Sequence, residues 1–173
     1  MSAKLLFGLL ALALWTSWLC FAQGALVALG WPSALLPDLV LVLAIVLSAR
    51  ASEGRALAAL FVIALVRAAF GVEGPLAVLA AFLAAGLALE WLRRWFDFRD
   101  PFLCASSAFA LSLLLGAWWR VVSAGRVWRA GIAVDWGFTP LLGAAAVTAV
   151  AALALAPLLA RLPGLRGLWR RAA

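Results

Sequence analysis

The chain has no histidine and no tyrosine, a single lysine (Lys4), and two cysteines, Cys20 and Cys104. Without histidine, neither a Ser-His-Asp nor a Cys-His arrangement can form, nor a histidine-ligated metal site. The two cysteines lie far apart inside apolar runs. They form no zinc or redox spacing, and a lone thiol there behaves as a small hydrophobe. Charge is scarce too, at 12% of 173 residues, against about 25% in soluble domains. Apolar residues make up 68% of the chain, with mean hydropathy +1.15. That excludes an ordinary soluble domain, and it excludes disorder, which needs low hydrophobicity and high charge. A polytopic helical membrane protein remains, because spans of about 20 residues consume nearly the whole length as one transmembrane domain, residues 1–173.

Six apolar runs are legible. The first, 5–29, is longer than the 7–15 apolar residues of a signal peptide and reads as an uncleaved helix. The second, 35–49, has Pro37 where a helix first turn tolerates it. It is short, about 22 Å as a helix, so 30–36 is expected to be partly membrane-embedded or shielded by neighbouring helices. The third is 56–72, with Arg67 inside it and Gly71, Gly74 and Pro75 ending it. The fourth is 76–92, the fifth 102–119, and the sixth 139–162 with Pro157 near its end, where it should kink or loosen the last turns. The expected fold is all-α, with six transmembrane helices.

Net charge is +7. The cations sit between apolar runs and on the C-terminal tail rather than along one continuous face, which points to lipid and topology rather than nucleic acid. With the N-terminus inside, cytoplasmic segments hold Lys4, Arg50, Arg55, Arg93, Arg94, Arg99, Arg161, Arg166, Arg170 and Arg171. The opposite side holds only Arg120, Arg126 and Arg129. This distribution predicts an N-in, C-in orientation. The segment 120–138 is expected to be an amphipathic link along the membrane–water interface.

Trp31, Trp91, Trp95, Trp118, Trp119, Trp128, Trp136 and Trp169 fall near expected helix ends, as an aromatic belt requires. Trp15 and Trp18 instead lie near the middle of the first helix. Beside them Thr16, Cys20 and Gln23 form an i, i+4, i+7 stripe, a face made either for internal packing or for a partner's helix. Ala80, Ala84 and Ala88, and Ala145 with Ala149, form small-residue ladders that allow close helix approach. Arg67 is the one charge well inside a span, and an intramembrane arginine is a functional candidate. It can equally snorkel to the nearer surface or pair with Glu73. Asp38 is placed to favour a helix N-terminus, and Glu90 lies near the opposite face. The candidate partner-binding residues are Trp15, Trp18, Gln23 and Arg67.

Four segments resemble the MreD family of rod-shape membrane proteins. "LLPDLVLVLAIVLSAR" (35–50) is similar to the family's Pro-Asp entry to its second span. "GVEGPLAVLA" (71–80) is similar to its Gly-Pro turn, with Ala77 where glycine is usual. "LRRWFDFRDP" (92–101) is similar to its basic loop, and "LAPLLARL" (155–162) to the end of its last span. One departure is clear: the family often has an acid four residues before a glycine late in the third span, and here Arg67 stands four before Gly71. The resemblance implies no catalysis and no cofactor. It implies a scaffold in the bacterial inner membrane, partnered by an MreC-like single-span protein, RodA, a class B penicillin-binding protein and an MreB-like actin homologue. The alternative is a substrate-binding membrane subunit of an energy-coupling-factor type transporter, whose polar candidates would be Gln23, Arg67, Glu73, Arg120 and Asp135.

Overall fold

The structure is a computed structural model and describes residues 3–32, 35–71, 74–98, 100–129 and 138–169. The protein is all-helical. Its elements are α1 (Ala3–Ala28), α2 (Leu39–Arg50), α3 (Glu53–Phe70), α4 (Pro75–Leu92), α5 (Pro101–Arg129), α6 (Thr139–Leu159) and a 3₁₀ turn, Leu165–Gly167. Four of them, α1, α4, α5 and α6, are long and apolar enough to cross a membrane. α2 is apolar but has only 12 residues, and α3 carries Glu53, Arg55 and Arg67 within its 18.

α2 is the axis of the bundle. Every residue from Val40 to Ser48 is buried, which is where a helix that is hydrophobic on all sides must lie. It touches each of the other five helices. Those five follow one another around it in the order α1, α3, α4, α5, α6, and the C-terminal segment packs on α1 to close the ring. Apolar area gives little drive for helices to associate in lipid, so close fit must hold them. The closest pairs, α3 with α4 and α5 with α6, each seat a leucine against a glycine: Leu60 over Gly86 and Leu141 over Gly116, where an added Cβ would collide. Two seams are looser, α4 against α5 and α6 against α1.

The C-terminal segment fills the second seam by close backbone approach. Gly164 has φ +86°, a left-handed conformation open to glycine, and faces Ala11. Gly167 lies against the Lys4 carbonyl, and Leu168 against Gly8. Trp169 then forms an isolated antiparallel bridge with Ala51. The start of α1, the α2–α3 junction and the chain beyond α6 therefore share one end of the bundle.

Several boundaries differ from the sequence reading. α2 begins at Leu39 rather than in the turn after Leu35, because Asp38 is its N-cap and stands outside helical geometry (φ −79°, ψ 83°). α5 continues to Arg129, so the link expected from residue 120 is helical in its first half. Residues 130–137 lie outside the described residues. α6 ends at Leu159, two residues past Pro157, which cannot donate a backbone hydrogen bond.

Candidate functional site

Because α2 is short, it starts inside the bundle rather than at its face. At that level a helix N-terminus presents unpaired N–H groups, and in a lipid setting each unpaired group costs several kcal/mol. The chain meets this demand with polar side chains from three helices and the turn before α2. Asp38 Oδ1 accepts from the Leu41 N–H at 3.0 Å and from Arg67 Nη1 at 2.7 Å. The Asp38 N–H donates to Thr148 Oγ1 at 3.0 Å, and the Thr148 hydroxyl donates to the Ala144 carbonyl at 2.7 Å. Gln23 Nε2 donates to the Pro37 carbonyl. The Arg67 guanidinium also lies 5.4 Å from the centroid of the Phe82 ring on α4, within cation–π range.

Above this cluster the bundle leaves a cavity of about 210 Å³, in which Ser112, Trp119 and Leu141 face Gln23, Asp38, Arg67 and Thr148. The Arg67 and Asp38 side chains keep 25% and 20% of their surface exposed. The cavity is polar and roomy enough for several waters, each needing about 30 Å³.

The four candidate residues divide between two places. Gln23 and Arg67 meet at the polar cavity. Trp15 and Trp18 lie on another face of α1, ring centroids 6.4 Å apart and edge to face. They line an apolar groove with Phe7, Ala11, Leu14, Pro163 and Gly164. Trp15 Nε1 donates to the Pro163 carbonyl at 3.1 Å, while Trp18 is 60% exposed. On the neighbouring stripe Thr16 is fully buried and bonded to its own Leu12 carbonyl, so that stripe is an internal packing face.

The structure pairs Arg67 with Asp38, and the local partner that the sequence offered cannot be placed beside that pair. Glu73 lies outside the described residues. Glu90 meets Arg93 at 3.0 Å, at the far end of α2, so the Asp38 and Glu90 carboxylates stand one α2 length apart, about 18 Å. Arg93 in turn donates to the Ser48 and Ala51 carbonyls, and Arg55 to those of Gly167 and Trp169. Arginines that read as topology signals therefore also close helix ends. Three belt tryptophans are likewise engaged: Trp118 Nε1 donates to the Ala77 carbonyl, Trp119 lines the polar cavity, and Trp169 bridges Ala51.

No family model matches the chain, and no curated protein or solved structure matches it either. The fold and composition define its class, a helical membrane protein.

Proposed function

We propose that the chain is a non-enzymatic scaffold of the bacterial inner membrane, of the MreD type its sequence resembles, with both termini in the cytoplasm. The observation that carries this reading is the loose seam between α4 and α5. Ala81, Ala84, Ala85 and Ala88 form its floor, and Leu111, Leu114, Leu115 and Trp118 its wall. Ala84, Ala88 and Leu114 are exposed to the surroundings, while the Trp118–Ala77 hydrogen bond fixes the width at one end. Small residues let a helix backbone come close, and the wall gives it shape. A single-span MreC-like protein is the occupant this seam suits. RodA, a class B penicillin-binding protein and an MreB-like homologue are the further members of the assembly.

Ala84→Leu combined with Ala88→Leu should cut recovery of the MreC-like partner from membranes, normalised to inserted protein, without changing the thermal midpoint in detergent. Trp18→Ala, on the other seam, should leave recovery unchanged. Full recovery with the cleft filled rejects the docking face. Reporter fusions after Arg55, Arg99 and Ala173 should report cytoplasm, and an external C-terminus would reject the orientation.

The polar cavity supports a second reading, a substrate-binding subunit of an energy-coupling-factor type transporter. Its charges are already paired with one another, which leaves a small neutral solute as the substrate to test. Co-purification with a transporter ATPase rather than an MreC-like protein would favour it.

A further inference from the structure

The polar cavity above the start of α2 holds more hydrogen-bonding capacity than its own side chains use. Gln23 Nε2 donates to the Pro37 carbonyl, which fixes the amide and leaves Oε1 as an open acceptor. Asp38 uses Oδ1 for the Leu41 N–H and for Arg67, and its Oδ2 receives no hydrogen bond among the described residues. The Ser112 hydroxyl and the Trp119 indole N–H belong to the same lining. Among the described residues they too have no hydrogen-bond partner. None of these four groups is sealed in the interior, unlike Ser48 Oγ at the other end of α2. The cavity therefore offers three acceptors, Asp38 Oδ2, Gln23 Oε1 and Ser112 Oγ, and two donors, the Ser112 hydroxyl and the Trp119 N–H.

Charge decides the first property of an occupant. A cation would meet the Arg67 guanidinium and an anion the Asp38 carboxylate, which stand 2.7 Å apart, so a neutral molecule is favoured. The inventory of groups decides the second. A small triol brings three hydroxyl donors for the three acceptors, and its oxygens accept from the two donors at the same time, since a hydroxyl does both. A simple carboxamide has two N–H donors and leaves an acceptor unmet, whereas urea has four and exceeds the acceptors. The short carbon skeleton of a triol also has apolar walls to lie against, at Leu36, Leu115 and Leu141. The volume of about 210 Å³ corresponds to about seven waters at about 30 Å³ each. That admits a molecule of glycerol size and excludes a disaccharide.

We propose that the cavity is a binding site for a small neutral polyol of glycerol size. Its hydroxyls donate to Asp38 Oδ2 and Gln23 Oε1, exchange hydrogen bonds with Ser112 and accept from Trp119. This rests on the second reading above, which makes the cavity a substrate site, and it names the class of solute. The probe is glycerol, titrated against the full chain in phosphatidylcholine nanodiscs prepared without glycerol or sugar detergent, with binding read by saturation-transfer difference NMR. Saturable binding is expected. Equal concentrations of acetamide, urea or glycerol 3-phosphate should not displace it, the last being the charged form in which a lipid headgroup would present the same skeleton. Ser112→Ala removes one donor and one acceptor and should weaken binding about fivefold. Asp38→Asn keeps the Oδ1 cap but replaces Oδ2 with an N–H donor, and should weaken binding at least tenfold. Trp18→Phe, outside the cavity, should leave it unchanged. Ser112 is half-buried and its truncation strips no described group of a partner, so it decides the matter even where Asp38→Asn folds poorly. Absence of saturable binding, equal displacement by the amide or the phosphate ester, or unchanged affinity in Ser112→Ala would each overturn the proposal. Glycerol binding by a chain that recovers no transporter ATPase would uphold the site and reject the transporter. Recovery of the ATPase without glycerol binding would reject the solute class and leave that reading standing.

Discussion

The two ends of α2 solve one problem in opposite ways. At its start the orphan groups are donors, and a carboxylate, a hydroxyl and the Asp38 turn meet them. At its end the orphan groups are carbonyls, and Arg93 reaches from α4 to those of Ser48 and Ala51. Each choice also matches the helix dipole, negative near the N-terminus and positive near the C-terminus. The ends differ in access to water. The Asp38–Arg67 pair keeps a fifth to a quarter of its side-chain surface exposed beside a cavity, whereas Arg93 and Glu90 keep only 11% and 12%. A lost partner can be replaced by solvent at the first end and much less readily at the second. Stability should therefore be most sensitive where α2 ends.

Arg93→Met is the strongest test. It removes the donor to two buried carbonyls and the cation that meets Glu90, the kind of loss that costs about 3–5 kcal/mol when a buried pair is broken. The thermal midpoint in detergent should fall well below that of any single change at Asp38 or Arg67. Adding Glu90→Gln should recover part of the loss, since it removes the buried charge, and a double-mutant cycle reads the coupling. Equal effects at the two ends would break the comparison.

Gly167→Ala probes the strap that covers the dry end. A Cβ there would meet the Lys4 carbonyl at 2.5 Å, and backbone on both sides leaves no flexible group to yield. Overpacking of this kind costs about 1–3 kcal/mol. The expected outcome is release of the C-terminal segment, seen as faster carboxypeptidase trimming, because Arg55 holds that segment through the Gly167 and Trp169 carbonyls. Unchanged trimming would show that the bridge between Trp169 and Ala51 holds the segment alone.

How far the sequence could be read follows from the range of each signal. Apolar runs are local, and α1 and α4 begin and end within two residues of the runs that announced them. The entry to α2 was half legible: an Asp before an apolar run is a cap signal, and Asp38 is the cap. Its ion partner was not legible, because Arg67 lies 29 positions away. Thr148, 110 positions from Asp38, gave no signal beyond being a polar residue in an alanine-rich helix. Ser112 was equally silent. The Trp15 and Trp18 face and the separate Thr16, Cys20 and Gln23 stripe were both visible from spacing, but which of them faces the interior was not, since packing decides that. Arginines at helix ends gave an expectation of orientation, and their bonds to carbonyls of other elements, as from Arg93 and Arg55, cannot be read without neighbours.

Asp38→Ala should cost less than Arg93→Met, about 1–2 kcal/mol, the usual scale for losing an N-cap with partial pairing. Asp38→Asn separates the two parts, because asparagine caps as well as aspartate does but carries no charge for Arg67. If the open cavity lets water stand in for the lost partner, Asp38→Asn should fall nearer to the unaltered protein than to Asp38→Ala. Midpoints measured side by side in one detergent decide this.

The smallest effect is expected from Arg67→Lys. Lysine keeps the charge and can reach Asp38, so the ion pair should persist. What it lacks is the planar guanidinium that lies over Phe82 while donating sideways to the carboxylate, a geometry that an ammonium cannot reproduce with one group. At a partly exposed site that stacking contributes about 0.5–1 kcal/mol, so the midpoint should drop slightly while assembly and partner recovery stay intact. Phe82→Leu tests the same term from the other side. If the stacking is the whole difference, Arg67→Lys should cost nothing further once Phe82 is leucine. A large loss for Arg67→Lys that persists in the Phe82→Leu background would mean that Arg67 has a second task at the cavity, one that requires a fork of donors. Recovery of the MreC-like partner with the same variants shows whether that task lies in folding or in assembly.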